Sequence, residues 1–173
     1  MGDVPQRQLK RVFVTVGTTK FEELIEHVDS EAFQRTVFES LGTREIIAQI
    51  GQGTIEPRIR HPKVEVSFYR MKPDIKGDME AADLIITHCG AGSVTEAMKY
   101  GRPTVAVVNE KLMDNHQTEL ASALVERGPF IFYVNRPAEL STQLPSFDFQ
   151  SLRRFKAPDL GVFVDRISQY LAT

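Results

Sequence analysis

The sequence predicts an α/β domain built on one parallel sheet. Two observations carry that expectation. Short runs rich in Val and Ile, near residues 11–16, 45–50, 64–68, 84–86, 104–108 and 130–134, are separated by stretches with helical spacing of apolar residues. Twice, at Gly17 and at Gly90-Ala91-Gly92, such a run ends in a glycine turn that leads straight into a helix. Strands joined through helices run parallel, because the crossover returns the chain to the same end of the sheet.

Composition bounds the function. At 173 residues the chain makes one domain with room for a sizeable core. Charged residues make up 25% and the net charge is −2, so no polybasic footprint points to nucleic acid or an anionic membrane surface. No apolar run approaches the roughly 20 residues of a membrane span. Residues 1–10 are polar, lack the apolar core of a signal peptide and read as a loose tail. The single cysteine, Cys89, excludes a disulfide framework and fits a reducing compartment. A soluble, cytosolic protein is expected.

The first strand, 11–16, is rich in β-branched residues. Gly17-Thr18-Thr19 turns the chain into a helix beginning near Phe21, with Phe21, Leu24, Ile25 and Val28 on its core face. A second helix over 31–41 turns Phe33, Val37, Phe38 and Leu41 inward and stops at Gly42. Strand two, 45–50, ends in the turn Gly51-Gln52-Gly53. After a polar loop at 57–62 comes strand three, 64–68. Tyr69-Arg70-Met71 follows it, either as a base-contacting loop at a strand's carboxyl end or as a plain connection. A short helix at 76–82 leads into the stretch that organises the chain.

That stretch is 84–108. Leu84-Ile85-Ile86 reads as a strand buried on both faces, with His88 as its last residue. Gly90 and Gly92 follow, then Ser93-x-x-Glu96, the spacing of a capping box at a helix start. Gly101 and Pro103 stop the helix, and 104–108 is the next strand. Such a unit suits phosphate, because glycines let backbone approach a ligand while free N–H groups and the helix dipole face an anion. Glu96 has two readings here. A carboxylate repels phosphate, so it either completes the capping box or holds a ribose diol. Cys89 is a small core residue.

Residues 109–113 form a loop, Asp114 caps a helix over 115–127 that turns Leu120, Ala123 and Leu124 inward, and Asn115, His116 and Gln117 occupy its exposed first turn. A last strand spans 130–134. Phe147, Phe149 and Phe155 anchor an otherwise illegible 137–158 segment. Residues 162–171 form an amphipathic helix with Phe163, Ile167, Tyr170 and Leu171 on one face, packed on its own domain or docked to a partner. Three parts result: a tail at 1–10, an α/β domain at 11–135 and a helical extension at 136–173.

The run His88-Cys89-Gly90-Ala91-Gly92-Ser93-x-x-Glu96-Ala97-x-x-x-Gly101-x-Pro103 resembles the donor-binding motif of family 28 glycosyltransferases of the GT-B class. Within them it is most similar to the small catalytic subunits that add the second N-acetylglucosamine (GlcNAc) to dolichol-linked oligosaccharide. The resemblance spans about 11–132 and takes in Val16-Gly17-Thr18-Thr19-x-Phe21 and Asp114-Asn115-His116-Gln117-x-Glu119-x-Ala121. Relatives more often carry Ala and Ser where this chain has Cys89 and Ala91, and both exchanges are small for small.

The resemblance implies a single Rossmann-like domain equivalent to the C-terminal, donor half of a GT-B enzyme. Its donor would be UDP-GlcNAc and its chemistry an inverting displacement. Gly17, Thr18 and Thr19 would lie beside the diphosphate, Gly90, Gly92 and Ser93 would stabilise the leaving UDP, with His88 near the phosphates, and Glu96 would hold the ribose. Asn115, His116 and Gln117 would hold the sugar hydroxyls. No cofactor is implied. The four histidines, at 27, 61, 88 and 116, show no metal-ligand spacing, which leaves Mg²⁺ carried by the nucleotide as the open alternative. A GT-B cleft needs two such halves, and this chain has room for one. The acceptor half, the general base and the membrane anchor would then sit on a partner chain. The acceptor would be GlcNAc-diphosphodolichol, and the partner would recruit this chain to the cytosolic face of the endoplasmic reticulum.

Three other readings stand beside this one. Gly90-x-Gly92 also begins a dinucleotide fingerprint, with Glu110 twenty residues on, but Thr95 replaces the third glycine and the unit comes late in the sheet. The others are a nucleotide-binding module without activity and a bacterial-type split transferase acting on another polyprenol-linked sugar. His88 as general base and Cys89 as nucleophile are weaker assignments.

Overall fold

A computed structural model describes residues 8–58, 60–109 and 130–154. Among them six strands form one parallel sheet: β1 (Arg11–Thr15), β2 (Glu45–Gln49), β3 (Glu65–Tyr69), β4 (Leu84–His88), β5 (Thr104–Val107) and β6 (Phe132–Val134), in the order β3-β2-β1-β4-β5-β6. Four helices connect them: α1 (Glu22–Val28), α2 (Glu31–Leu41), α3 (Lys76–Ala81) and α4 (Ala91–Lys99). The expected α/β parallel sheet is therefore present. β6 is shorter than the 130–134 expected, and only Phe132–Val134 pairs with β5.

Side chains alternate across the strands, so each helix layer receives its own set. Val12 and Val14 of β1, with Leu84 and Ile86 of β4, pack with Leu24, Ile25 and Val28 of α1 and Phe33 and Val37 of α2. Phe13 and Ile85 point the other way, against Met79 of α3 and Ala97 of α4. Every residue of β4 is buried. Burying each of Leu84, Ile85 and Ile86 contributes about 1.5–3 kcal/mol, which fixes this strand as the sheet's centre.

Local signals set the helix ends. Ser30 caps α2, its Oγ accepting from the Phe33 N–H at 3.1 Å, and Gly42 closes that helix at φ +73°. Gln34 is buried on the same helix, and its side-chain oxygen accepts from the His61 N–H at 2.9 Å, which pins the polar loop after β2. Phe38, expected inward, is only half-buried, its ring lying under Arg44 and Lys63.

Both chain extensions are tied to the sheet where they are described. Leu9 is buried, its N–H donates to the Leu41 carbonyl and its own carbonyl accepts from Thr43 Oγ1 at 2.8 Å, so the tail read over 1–10 is anchored at this end. After β6, two 3₁₀ turns (Pro137–Glu139 and Leu144–Ser146) flank α5 (Leu140–Gln143), and Leu140 and Leu144 are buried in the α1–α2 core. Phe132 and Phe147 stack at 4.3 Å with Phe149 edge-on, so two of the three expected aromatic anchors work as such. Phe155 and the 162–171 helix lie outside the described residues, as do Asp114, Asn115, His116 and Gln117. Among the described residues no helix is long and apolar enough to cross a membrane.

The strand order reverses between β1 and β4. At such a point the two connections leave the sheet on opposite sides and a crevice opens at the strands' carboxyl ends. Both glycine turns emerge there.

Candidate functional site

β1 ends in the Gly17 turn and β4 ends in His88 and the Gly90 turn. The two come into contact. Gly17 adopts φ +62°, and a methyl group there would lie 3.0 Å from His88 Cε1 and 3.3 Å from Ser93 Oγ. Gly90 is held by close approach instead, since a methyl group would lie 2.4 Å from His88 Nε2. The His88 ring thus fills the space between the two turns, and the side chain of Ser93 borders the same space.

The capping box does not form. α4 begins at Ala91, with Gly90 as its cap and no side-chain cap hydrogen bond. Ser93 is therefore the third helical residue, not the cap, and Glu96 lies a turn further along. The chain turns at once because the ring of His88 packs under Gly90, and a helix beginning three residues earlier meets that demand. A glycine cap brings no side-chain acceptor, so the first N–H groups of α4 stay available at the crevice. Glu96 is half-buried, and among the described residues no hydrogen bond or ion pair occupies its carboxylate. Of its two readings, the capping role is overturned.

His88 is 8% exposed, and its Nδ1 is buried with no hydrogen-bond partner. Burial pushes its pKa below the ordinary 6.5, opposed by the nearby Thr15 carbonyl, which acts on the ring without meeting hydrogen-bond geometry. Burial therefore favours the neutral ring.

The remaining expected residues fall as follows. Thr18 and Thr19 are exposed on the β1 turn, and the Thr19 hydroxyl donates to the Val16 carbonyl at 2.9 Å. Gly92 faces open space, with nothing within 4 Å of an added methyl group. Gly17, Thr18, Thr19, His88, Gly90, Gly92, Ser93 and Glu96 thus belong to two adjacent turns and the helix start that follows one of them.

Sequence reasoning missed the scaffold beneath. Thr15 Oγ1 donates to the Gln49 side-chain oxygen at 2.5 Å and accepts from the Gly17 N–H at 3.0 Å, and the Gln49 carbonyl accepts from the Val16 N–H. The β2 turn clamps the same loop, because the Thr19 carbonyl accepts from the Gln52 N–H at 3.0 Å. At the end of β3, Tyr69 donates to Asp78 at 2.6 Å and Lys72 pairs with Asp78 at 3.0 Å while lying over the Tyr69 ring. Arg70 reaches back to the Gly53 carbonyl and to Glu56. The available signal was a polar residue closing a strand whose middle is apolar: Thr15, Gln49 and His88.

Other hollows lie away from the two turns. One of ≈ 540 Å³ between α1 and residues 136–138 has a mixed lining, with Glu23 and Glu26 facing Arg136, and a smaller one of ≈ 60 Å³ is lined by Arg102, Arg153 and Arg154. Among the described residues no group of three His, Cys, Asp or Glu side chains is placed to hold a metal ion.

Residues 11–159 match the glycosyltransferase family 28 C-terminal domain. Over 126 residues the chain is 46% identical to the UDP-N-acetylglucosamine transferase subunit ALG13 of Mus musculus, a match covering 72% of this chain and 11% of that protein. The Yarrowia lipolytica protein of the same name is 39% identical over 116 residues, covering 65% of this chain and 59% of its own. The chain therefore spans between about a tenth and three-fifths of these relatives. Among solved structures, the NMR solution structure of ALG13 matches with TM-score 0.69 at 22% identity, over 91% of this chain and 96% of that one. Acinetobacter baumannii MurG matches with TM-score 0.62 at 20% identity, over 98% of this chain and 51% of that one. At these identities the structural likeness speaks for the fold.

Proposed function

The chain belongs to the glycosyltransferase family 28 C-terminal domain family, and from that premise we propose that it is the donor-binding, catalytic part of a two-chain N-acetylglucosaminyltransferase. The proposed reaction moves GlcNAc from UDP-GlcNAc to GlcNAc-diphosphodolichol. A hydroxyl of the acceptor attacks the anomeric carbon and its proton passes to a general base. The bond from that carbon to the β-phosphate oxygen breaks, its electron pair leaves with UDP, and the configuration inverts.

One observation carries the reading: two glycine turns meet at the crevice between β1 and β4 with His88 between them. There the free N–H groups of α4 and the Ser93 hydroxyl would bind the charge that develops on departing UDP, with the helix dipole behind them. The vacant carboxylate of Glu96 would accept hydrogen bonds from the ribose diol. Thr18 would border the diphosphate, and Asn115, His116 and Gln117 would address the sugar. We assign the general base, the acceptor lobe and the membrane anchor to a partner subunit. Support comes from the word subunit in the names of the relatives and from the half of MurG that this chain covers. The pair would work at the cytosolic face of the endoplasmic reticulum.

The test is reconstitution with membranes that carry the partner. Transfer to dolichyl-diphosphate GlcNAc is expected only with both components, and Glu96→Ala should lower kcat/KM about 10²-fold, the loss of a charge-assisted hydrogen bond pair of about 1.5–3 kcal/mol. Wild-type transfer in that variant removes Glu96 from the site. Donor binding is proposed to need no divalent cation, so chelation should change the UDP-GlcNAc affinity less than about twofold.

A further inference from the structure

We propose that His88 takes up a proton when the nucleotide sugar binds, so that it enters the complex as an imidazolium wedged between the two glycine turns. The inference rests on the donor-site reading above and adds the charge state of one residue to it. The ring is 8% exposed and its Nδ1 has no partner, an unusual state for a buried polar atom. Its walls are fixed, since Gly17 and Gly90 leave no space for a side chain on either side. A neutral imidazole owns a single N–H. Phosphate oxygens arriving from the crevice bring an acceptor and negative charge to the ring, and the nearby Thr15 carbonyl favours hydrogen on it as well, so the doubly protonated form gains from both.

Among the described residues the chain supplies no charge that would hold such a proton. On β1 the neighbour is Thr15, whose hydroxyl is committed to Gln49 and Gly17. On the β1 turn the charged residue is Lys20, paired with Glu22 at 3.0 Å. On β5 the residue in register is Val107. On α4 the first turn bears Ser93, and the first carboxylate is Glu96, which acts on the Tyr100 phenol. No charged side chain among the described residues contributes to the titration of the ring, which burial alone drives toward neutrality. A diphosphate diester brings two negative charges beside this buried ring and reverses that balance.

Titration calorimetry of the full chain with UDP-GlcNAc, in buffers of different ionisation enthalpy at pH 7.5, reads the proton count directly. The phosphates of this ligand do not titrate near neutrality, so any proton comes to the protein. The expected slope of binding enthalpy against buffer enthalpy is about one proton, with affinity falling up to about tenfold per pH unit above neutrality. His88→Gln keeps an N–H donor without a titratable ring, and its slope should be zero with less than about twofold pH dependence. The nitrogen-15 shifts of the His88 ring should move from neutral to imidazolium values on saturation. Binding heat with no buffer dependence, or a slope that persists in His88→Gln, overturns the proton uptake alone. Absence of any UDP-GlcNAc binding overturns the donor site itself.

Discussion

The Thr15 hydroxyl stands between the Gln49 amide oxygen at 2.5 Å and the Gly17 N–H at 3.0 Å, and so ties the glycine turn to the strand below. Thr15→Val keeps the shape and removes both bonds, leaving two buried polar groups unpaired at about 1–3 kcal/mol. Because one of them orients the glycine turn, the donor KM should rise at least fivefold in the reconstituted transferase while circular dichroism shows a folded domain. An unchanged KM would make the hydroxyl merely structural. His27 is a different case. Its Nε2 lies 3.0 Å from Ser141 Oγ, and burial lowers its pKa below 6.5. As pH falls, the unfolded chain therefore binds this proton before the folded one does, so the stabilisation is full above about pH 7 and declines below the unfolded value. His88 has the same sign. Melting temperature should drop between pH 7.5 and 5.5, and His27→Gln should shrink that drop without abolishing it. A drop of unchanged size places the coupling elsewhere.

Among the elements, α4 shows where sequence pattern and structure part. Ser93-x-x-Glu96 has the spacing of a capping box, yet the helix starts at Ala91 on a glycine cap. Local propensity favoured Ser93 as the cap. The packing of Gly90 on the ring of His88, two residues before it, won, a contact that spacing and propensity do not encode. β4 was legible because burial on both faces leaves a continuous apolar run, and Gly42 ended α2 as such a residue does. Glycines of one motif can nonetheless serve different ends. An added methyl at Gly90 meets His88 at 2.4 Å, whereas at Gly92 it meets nothing. Gly90→Ala should cost about 1–3 kcal/mol through overpacking. Gly92→Ala should leave the melting point level or raise it, given the helix preference for Ala of about 1 kcal/mol. If backbone approach to phosphate is why Gly92 is glycine, the same change weakens UDP-GlcNAc about tenfold in calorimetry. Undiminished affinity removes Gly92 from the cradle.

At the scale of the whole molecule, the proposed site gathers at the carboxyl ends of the two central strands. Residue type indicated the turns at Gly17 and Gly90 separately. That they share a space with His88 follows only from strand order, in which β1 and β4 are neighbours although two strands intervene in the chain. No window of sequence holds that adjacency, and the same holds for Thr15 against Gln49. The geometry has a consequence for exchange of backbone amides. A ligand at the carboxyl ends of β1 and β4 should protect amides 17–20 and 90–94 in hydrogen–deuterium exchange, because the free N–H groups of the helix start acquire acceptors. The clamp from the β2 turn onto Thr19 extends the effect to residues 51–53. At the amino ends of the strands, Gly101 to Pro103 should exchange equally with and without UDP-GlcNAc, and so should residues 136–138, beside the hollow that follows β6. Protection concentrated at 136–138 and on α1, with 90–94 unchanged, would move the nucleotide to that hollow and break the assignment of the two turns.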